Sequence, residues 1–221
     1  MTRAALIEHR PWLLASIVAA VAFYVLRDAP IGGIQLMLLK GAGVALLAVY
    51  ALRRSHGTDG RLIALALALC AVGDVALELS FIAGGSAFFA GHLTASALYL
   101  RNRRPHPAPS QRMAAIALLV GTPLISWLLS RDPAVTLYAA GLGVMASTAW
   151  LSRFGRYRVG TGAVLFVVSD WLIFSRMGTA DLGPLPDLLI WPLYYFGQFL
   201  IATGVVQALR RHDPMRTPAG T

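Results

Sequence analysis

Residues 62–100 read LIALALALCAVGDVALELSFIAGGSAFFAGHLTASALYL. The run is too long and too continuously apolar for the half-polar face of a soluble helix, and it reads as two membrane spans joined by a turn at Gly84-Gly85. Inside it stand Asp74 after Gly73, Glu78 four residues later on the same helical face, and His92 on the second span. An ionisable group near the middle of a bilayer costs at least ~2.5–3.5 kcal/mol, so its default reading is a paired or functional group facing the protein interior. A second such acid, Asp170, lies in the later run V-V-S-D-W at Val167–Trp171. The reading therefore turns on what two aspartates do inside a membrane bundle.

Working outward, the chain has 221 residues, 57% of them hydrophobic and only 13% charged. That balance fits a polytopic membrane protein. Eight stretches approach the length of a span: 11 to 26, 31 to 52, 61 to 83, 86 to 100, 112 to 130, 133 to 151, 159 to 177 and 188 to 209. The expected fold is an all-α, eight-span helical bundle, a single transmembrane domain over residues 1–221. With the N-terminus cytoplasmic, only Arg27, Arg131 and Arg176 among the eighteen arginines fall outside. This bias puts both termini in the cytoplasm and accounts for the net charge of +9. No basic block interleaved with aromatics supports nucleic-acid binding. The first span could be misread as a signal peptide, with Ala20-Val21-Ala22 resembling a cleavage site, but its apolar run continues to Leu26. The expected location is a bacterial inner (cytoplasmic) membrane. The one cysteine, Cys70, excludes an intrachain disulfide and a thiolate metal cluster, and four residues before Asp74 it reads as packing.

Alternating span direction lets depth be counted at about 1.5 Å per residue. Lys40, Asp74, Glu78, His92, Asp170, Tyr195 and Gln198 all fall in one slab, ~8–15 Å below the outer surface. Independent structural accidents would scatter. A short internal similarity accompanies this slab, although chance also produces matches of that length. K-G-A-G-V at Lys40–Val44, G-D at Gly73-Asp74 and F-A-G-H at Phe89–His92 match A-G-L-G-V at Ala140–Val144, S-D at Ser169-Asp170 and Y-F-G-Q at Tyr195–Gln198. Two parallel four-helix repeats, 1–104 and 112–211, would set the aspartates on opposing helices across a central cavity. The rest reads as scaffold: Gly41, Gly43, Gly141 and Gly143 for close helix approach, Pro123 and Pro192 as kinks, a proline-bearing linker from Arg101 to Gln111, and a disordered tail over 212–221. The outer loop between Gly178 and Asp187 is either a cover for the cavity mouth or a plain connector.

Two carboxyl groups in a low-dielectric site cannot both ionise cheaply, so one serves as acid and the other as base. Lys40 would offset negative charge, while His92, Tyr195 or Gln198 would orient water or a substrate oxygen. Glu78, nearer the surface, is a supporting candidate. The structural alternative pairs Asp74 with Lys40 and Asp170 with a tyrosine hydroxyl only to lock the bundle. His92 is the only histidine inside a span, so no zinc site is indicated, and neither metal nor cofactor is expected.

These same residues carry a family resemblance. A-V-G-D-V-A-L-E followed by F-F-A-G-H-L, and G-A-V-L-F-V-V-S-D followed by Y-Y-F-G-Q-F-L-I-A, resemble the YhhN family of eight-span lysoplasmalogenase-like proteins over nearly the whole chain. One departure is Lys40-Gly41, where the family has Lys-Pro. The resemblance implies hydrolysis of the vinyl ether bond of a lysoplasmalogen, with Asp74 and Asp170 as the catalytic pair and a lysophospholipid drawn from the bilayer as substrate. Against it stand a proton-coupled transporter and a non-enzymatic lipid-binding protein. An intramembrane aspartyl protease fits less well, because Ala71 replaces the first glycine of G-x-G-D and no Pro-Ala-Leu motif is present.

Overall fold

The computed structural model describes residues 10–30, 32–179 and 181–211. Arg3, His9, His212, Arg216 and the tail 212–221 lie outside them. The described residues form eight helices and no strand: α1 Arg10–Leu26, α2 Gly33–Arg54, α3 Gly57–Ala76, α4 Phe81–Arg101, α5 Pro109–Ser130, α6 Pro133–Leu151, α7 Thr161–Ser175 and α8 Leu185–Arg211. A π-helical turn, Arg156–Gly160, leads into α7. Six of these segments are long and apolar enough to cross a membrane, and α1 is a shorter apolar helix. In α3 the charges of Asp59, Arg61 and Asp74 interrupt the apolar run. Large apolar side chains face outward along whole helices, as at Met113, Ile116, Val120, Leu124 and Leu128 of α5. Such stripes suit lipid, and the protein is an integral membrane helical bundle.

Consecutive helices pack side by side from α1 to α4, and α5 packs on α6 and α7 on α8. The first four helices meet the last four where α4 lies on α6 and where α2 and α3 lie on α8. The core between them is built from Leu47, Leu67, Leu98, Leu142, Met145 and Phe166 among others, all nearly inaccessible. At the α7–α8 contact, a Cβ on Gly162 would stand 2.6 Å from the Gly197 carbonyl oxygen, and one on Gly197 would stand 2.7 Å from that of Gly162. Only glycine lets the two backbones approach this closely.

The turn between the third and fourth helices lies earlier than the sequence suggests. Helix α3 stops at Ala76, and the Ser80 hydroxyl accepts the Ala83 N–H at 3.3 Å as an N-cap for α4. Glu78 thus sits in the turn beyond the end of α3 and does not extend the Asp74 helical face. Gly84 and Gly85 are helical. A Cβ on Gly84 would stand 2.7 Å from the Leu77 backbone nitrogen, so the glycine serves close approach of α4 to the turn. Helix α2 runs unbroken through Lys40-Gly41. Pro123 and Pro192 lie within continuous helices α5 and α8. Pro192 has no N–H to give the Leu188 carbonyl, which instead accepts the Tyr24 hydroxyl at 3.0 Å.

The two ends of the bundle are tied differently. At one end buried Asn102 donates to Asp59 at 2.8 Å and accepts from Arg153 Nε at 2.7 Å, joining α3, α4 and the segment after α6. At the other, Arg27 donates to the Asp187 carbonyl at 2.5 Å, and Arg176 pairs with the Asp187 carboxylate.

Candidate active site

Asp74 and Asp170, 2% and 4% exposed, line one cavity of about 530 Å³. Its wall is formed by α2, α3, α4, α6, α7 and α8 and is mostly apolar, with Phe88, Phe89, Phe174 and Trp191 among the larger side chains. Ile82 of α4 and Leu137 of α6 line the cavity and are also 80% and 69% exposed on the bundle's outer face. The cavity therefore opens at the bundle surface beside these two helices.

The residue preceding each aspartate docks its helix. A Cβ on Gly73 would stand 2.7 Å from the Phe88 ring, so glycine allows α4 to pack flush against the turn that carries Asp74. The Ser169 hydroxyl donates to the Ile190 carbonyl at 2.9 Å, tying the turn that carries Asp170 to α8. Each carboxyl group then receives a tyrosine hydroxyl. Tyr194 of α8 donates to Asp74 Oδ2 at 2.7 Å, and Tyr138 of α6 donates to Asp170 Oδ2 at 2.8 Å. Aromatic edges surround both pairs: Phe166 lies 5.0 Å from the Tyr194 ring and 5.0 Å from His92, and Phe88 lies 5.7 Å from Tyr194. Buried carboxyl groups need such partners, since an unpaired one costs several kcal/mol.

The remaining sequence candidates divide. Lys40 lines the cavity, but its ammonium is 2.6 Å from Glu78 Oε1, so its direct partner is Glu78 and not Asp74. Glu78 is half exposed at the rim. His92 is buried behind the cavity wall, with Nε2 2.9 Å from the Tyr138 hydroxyl. Tyr195 turns away: its hydroxyl is 2.8 Å from Ser16 Oγ, which in turn donates to the Gly43 carbonyl at 2.5 Å, and its ring stacks on Trp191. Gln198 lies in a separate small pocket with Cys70, His92 and Tyr99. Among the described residues no group of three or more His, Cys, Asp or Glu side chains is placed to hold a metal ion.

The tyrosines that touch the acids, Tyr138 and Tyr194, are absent from the sequence-derived candidates. Tyr194 is the other half of the Y-Y doublet that contains Tyr195, a rotation of about 100° around the helix. Tyr138 is the sixth residue of α6, which starts at the same end of the bundle, so the depth count that selected the slab also includes it. The family model described as YhhN family matches residues 35–205. No curated protein and no solved structure matches the chain.

Proposed function

The chain belongs to the YhhN family, and from that premise we propose that it hydrolyses the vinyl ether bond of lysoplasmalogens, releasing a fatty aldehyde and a glycerophospho-ethanolamine or glycerophospho-choline. The observation that carries the reading is the burial of Asp74 and Asp170, from two different helices, in a single apolar cavity open at the bundle surface.

A vinyl ether is cleaved by protonating its β-carbon, which leaves an oxocarbenium ion at the carbon bonded to the ether oxygen. Transfer to carbon is the slow step and needs a carboxylic acid that keeps its proton. Two bare charges in one apolar cavity are too costly, so one of the two aspartates keeps its proton and stays neutral. The other carboxylate faces the developing cation and takes a proton from the water that attacks it. The hemiacetal formed then collapses: the aspartate that took the proton from water gives it to the ether oxygen as the C–O bond breaks, the hydroxyl proton passes to the other aspartate, and aldehyde and alcohol leave with the acid restored. Tyr138 and Tyr194 fix the orientation of one oxygen on each carboxyl group and leave the other free for the reacting atoms.

The walls suit the rest of the substrate. The opening beside Ile82 and Leu137 suits lateral access of an alkenyl chain, and Phe88, Phe174 and Trp191 offer it an apolar lining. Lys40 is the cation available to a head-group phosphate. In the orientation that the arginine bias supports, the mouth faces the outer leaflet of a bacterial cytoplasmic membrane.

The test is aldehyde release from a lysoplasmalogen by the purified protein in detergent, beside Asp74→Asn and Asp170→Asn. Aldehyde from the wild type and none from the folded variants is expected. Cleavage of an ester lysophospholipid alone, or pH-driven solute flux in proteoliposomes with no chemical product, would overturn the assignment.

A further inference from the structure

Directly behind the cavity wall lies a second pocket of about 20 Å³, lined by Cys70, His92, Tyr99, Met145, Phe166 and Gln198 among others. Two polar groups of its lining are buried with no hydrogen-bond partner at normal distance, the Tyr99 hydroxyl and Gln198 Nε2, in side chains 0% and 3% exposed, and Gln198 reaches the Cys70 thiol and the Tyr194 hydroxyl only as longer contacts. Each such orphan forfeits the hydrogen bonds it makes with water in the unfolded chain, and a bundle core normally satisfies such groups. A pocket needs about 10–15 Å³ for one water, and a water needs two to four polar partners. This pocket meets both conditions.

The pocket is also lined by His92, a buried side chain that the reaction does not use directly. Tyr138 has a single hydroxyl hydrogen, and it is given to Asp170 Oδ2 at 2.8 Å. His92 Nε2, 2.9 Å from the same hydroxyl oxygen, must then be the donor in that contact. The imidazole is thereby left with Nδ1 as an acceptor.

We propose that one ordered water occupies this pocket, accepting from Gln198 and Tyr99 and donating to His92 Nδ1, and that His92 is a positioning residue that commits the Tyr138 hydroxyl to Asp170. The chain of hydrogen bonds has a direction. It starts at an amide nitrogen, which can only donate, and passes through water, imidazole and phenol to Asp170 Oδ2, which accepts. The water binding stands on the pocket alone, whereas the effect on turnover rests on the hydrolase reading above.

Nitrogen NMR of the full-length protein labelled with ¹⁵N-histidine reads the first part without any substrate, with His92→Gln identifying the His92 signals. A neutral ring protonated at Nε2, with Nδ1 hydrogen-bonded, is expected. Gln198→Leu should move the Nδ1 resonance toward the unbonded position, and Tyr99→Phe, which keeps the ring's shape, should do so if packing in the leucine variant fails. A ring protonated at Nδ1, or an Nδ1 signal indifferent to the folded variants, would overturn the proposal. In the aldehyde assay His92→Gln, which can still donate to Tyr138, should retain most of the wild-type kcat, while His92→Phe loses about tenfold in kcat with KM unchanged. Equal loss in both variants would reduce His92 to packing. If the wild type releases no aldehyde, the NMR result still decides the water and the tautomer.

Discussion

Asp74 and Asp170 are the same group at similar depth in one cavity, yet they are held in different ways. Asp74 stands in the first four helices and takes its tyrosine from α8, in the last four, so its hydrogen bond crosses the seam between halves. Asp170 takes its tyrosine from α6, within its own half, and that tyrosine is backed by His92 of α4. The docking residues differ likewise, a missing Cβ at Gly73 against a donated hydroxyl at Ser169. Two acids that look equivalent in sequence are thus given unequal surroundings, which is the condition for one to hold a proton while the other does not. The largest expected effect tests the pair as a unit. Asp74→Asn and Asp170→Asn should each lower aldehyde release by about 10²–10⁴-fold while the detergent-solubilised protein elutes and melts like the wild type. The double variant should be little worse than either single one, since groups acting together do not contribute additively. A double variant that loses the product of the two single factors would show two independent roles.

The tyrosines sharpen the contrast. A hydrogen bond to a charged group is worth about 1.5–3 kcal/mol, or roughly ten- to a hundredfold in rate if it is needed in the transition state. Tyr138→Phe and Tyr194→Phe should both fall in that range for kcat. They should separate in stability: Tyr138→Phe removes two contacts, the one to Asp170 within its half and the one to His92 across the seam, and should lower the melting temperature more than Tyr194→Phe, which removes the single bond to Asp74. Equal melting losses would mean that the His92–Tyr138 contact adds nothing to stability.

Much of this arrangement is legible in the sequence, and its limits have physical causes. Long apolar runs and an arginine bias fix the helical bundle because lipid tolerates little else. The acids stand out for the same reason, since a charge in an apolar span is rare enough to be noticed singly. Azimuth around a helix is harder to read. Tyr194 and Tyr195 are neighbours in sequence, but one faces Asp74 and the other faces Ser16 of α1, and an α8 surrounded by apolar contacts gives no periodicity to tell them apart. The turn before α4 is misjudged because Gly84-Gly85 carries the familiar signature of a turn, while the actual signal is a capping serine, Ser80, in an otherwise apolar run. Tyr138 is passed over because an aromatic residue in a span is ordinarily packing, and only its hydrogen bond to Asp170 sets it apart.

The smallest expected effect concerns the rim, where the Asp74 side of the cavity carries a feature that the Asp170 side lacks. Lys40 is mostly buried and is held by Glu78, whose side chain is 47% exposed. A pair of this kind adds about 0–1 kcal/mol to stability once solvent screening is allowed for, so neither partner is there to hold the bundle. If Lys40 receives the head-group phosphate, Lys40→Met should raise KM for a lysoplasmalogen severalfold and leave kcat nearly unchanged, because the lost contact is present equally in ground and transition states. Glu78→Gln removes the competing anion and frees the ammonium, so KM should fall by about twofold, the size that a weak, half-exposed pair allows. The two substitutions therefore move KM in opposite directions if Lys40 binds substrate. If Lys40 instead serves Asp74 as a counter-charge, Lys40→Met lowers kcat and spares KM, and the rim belongs to the acid and not to the head group.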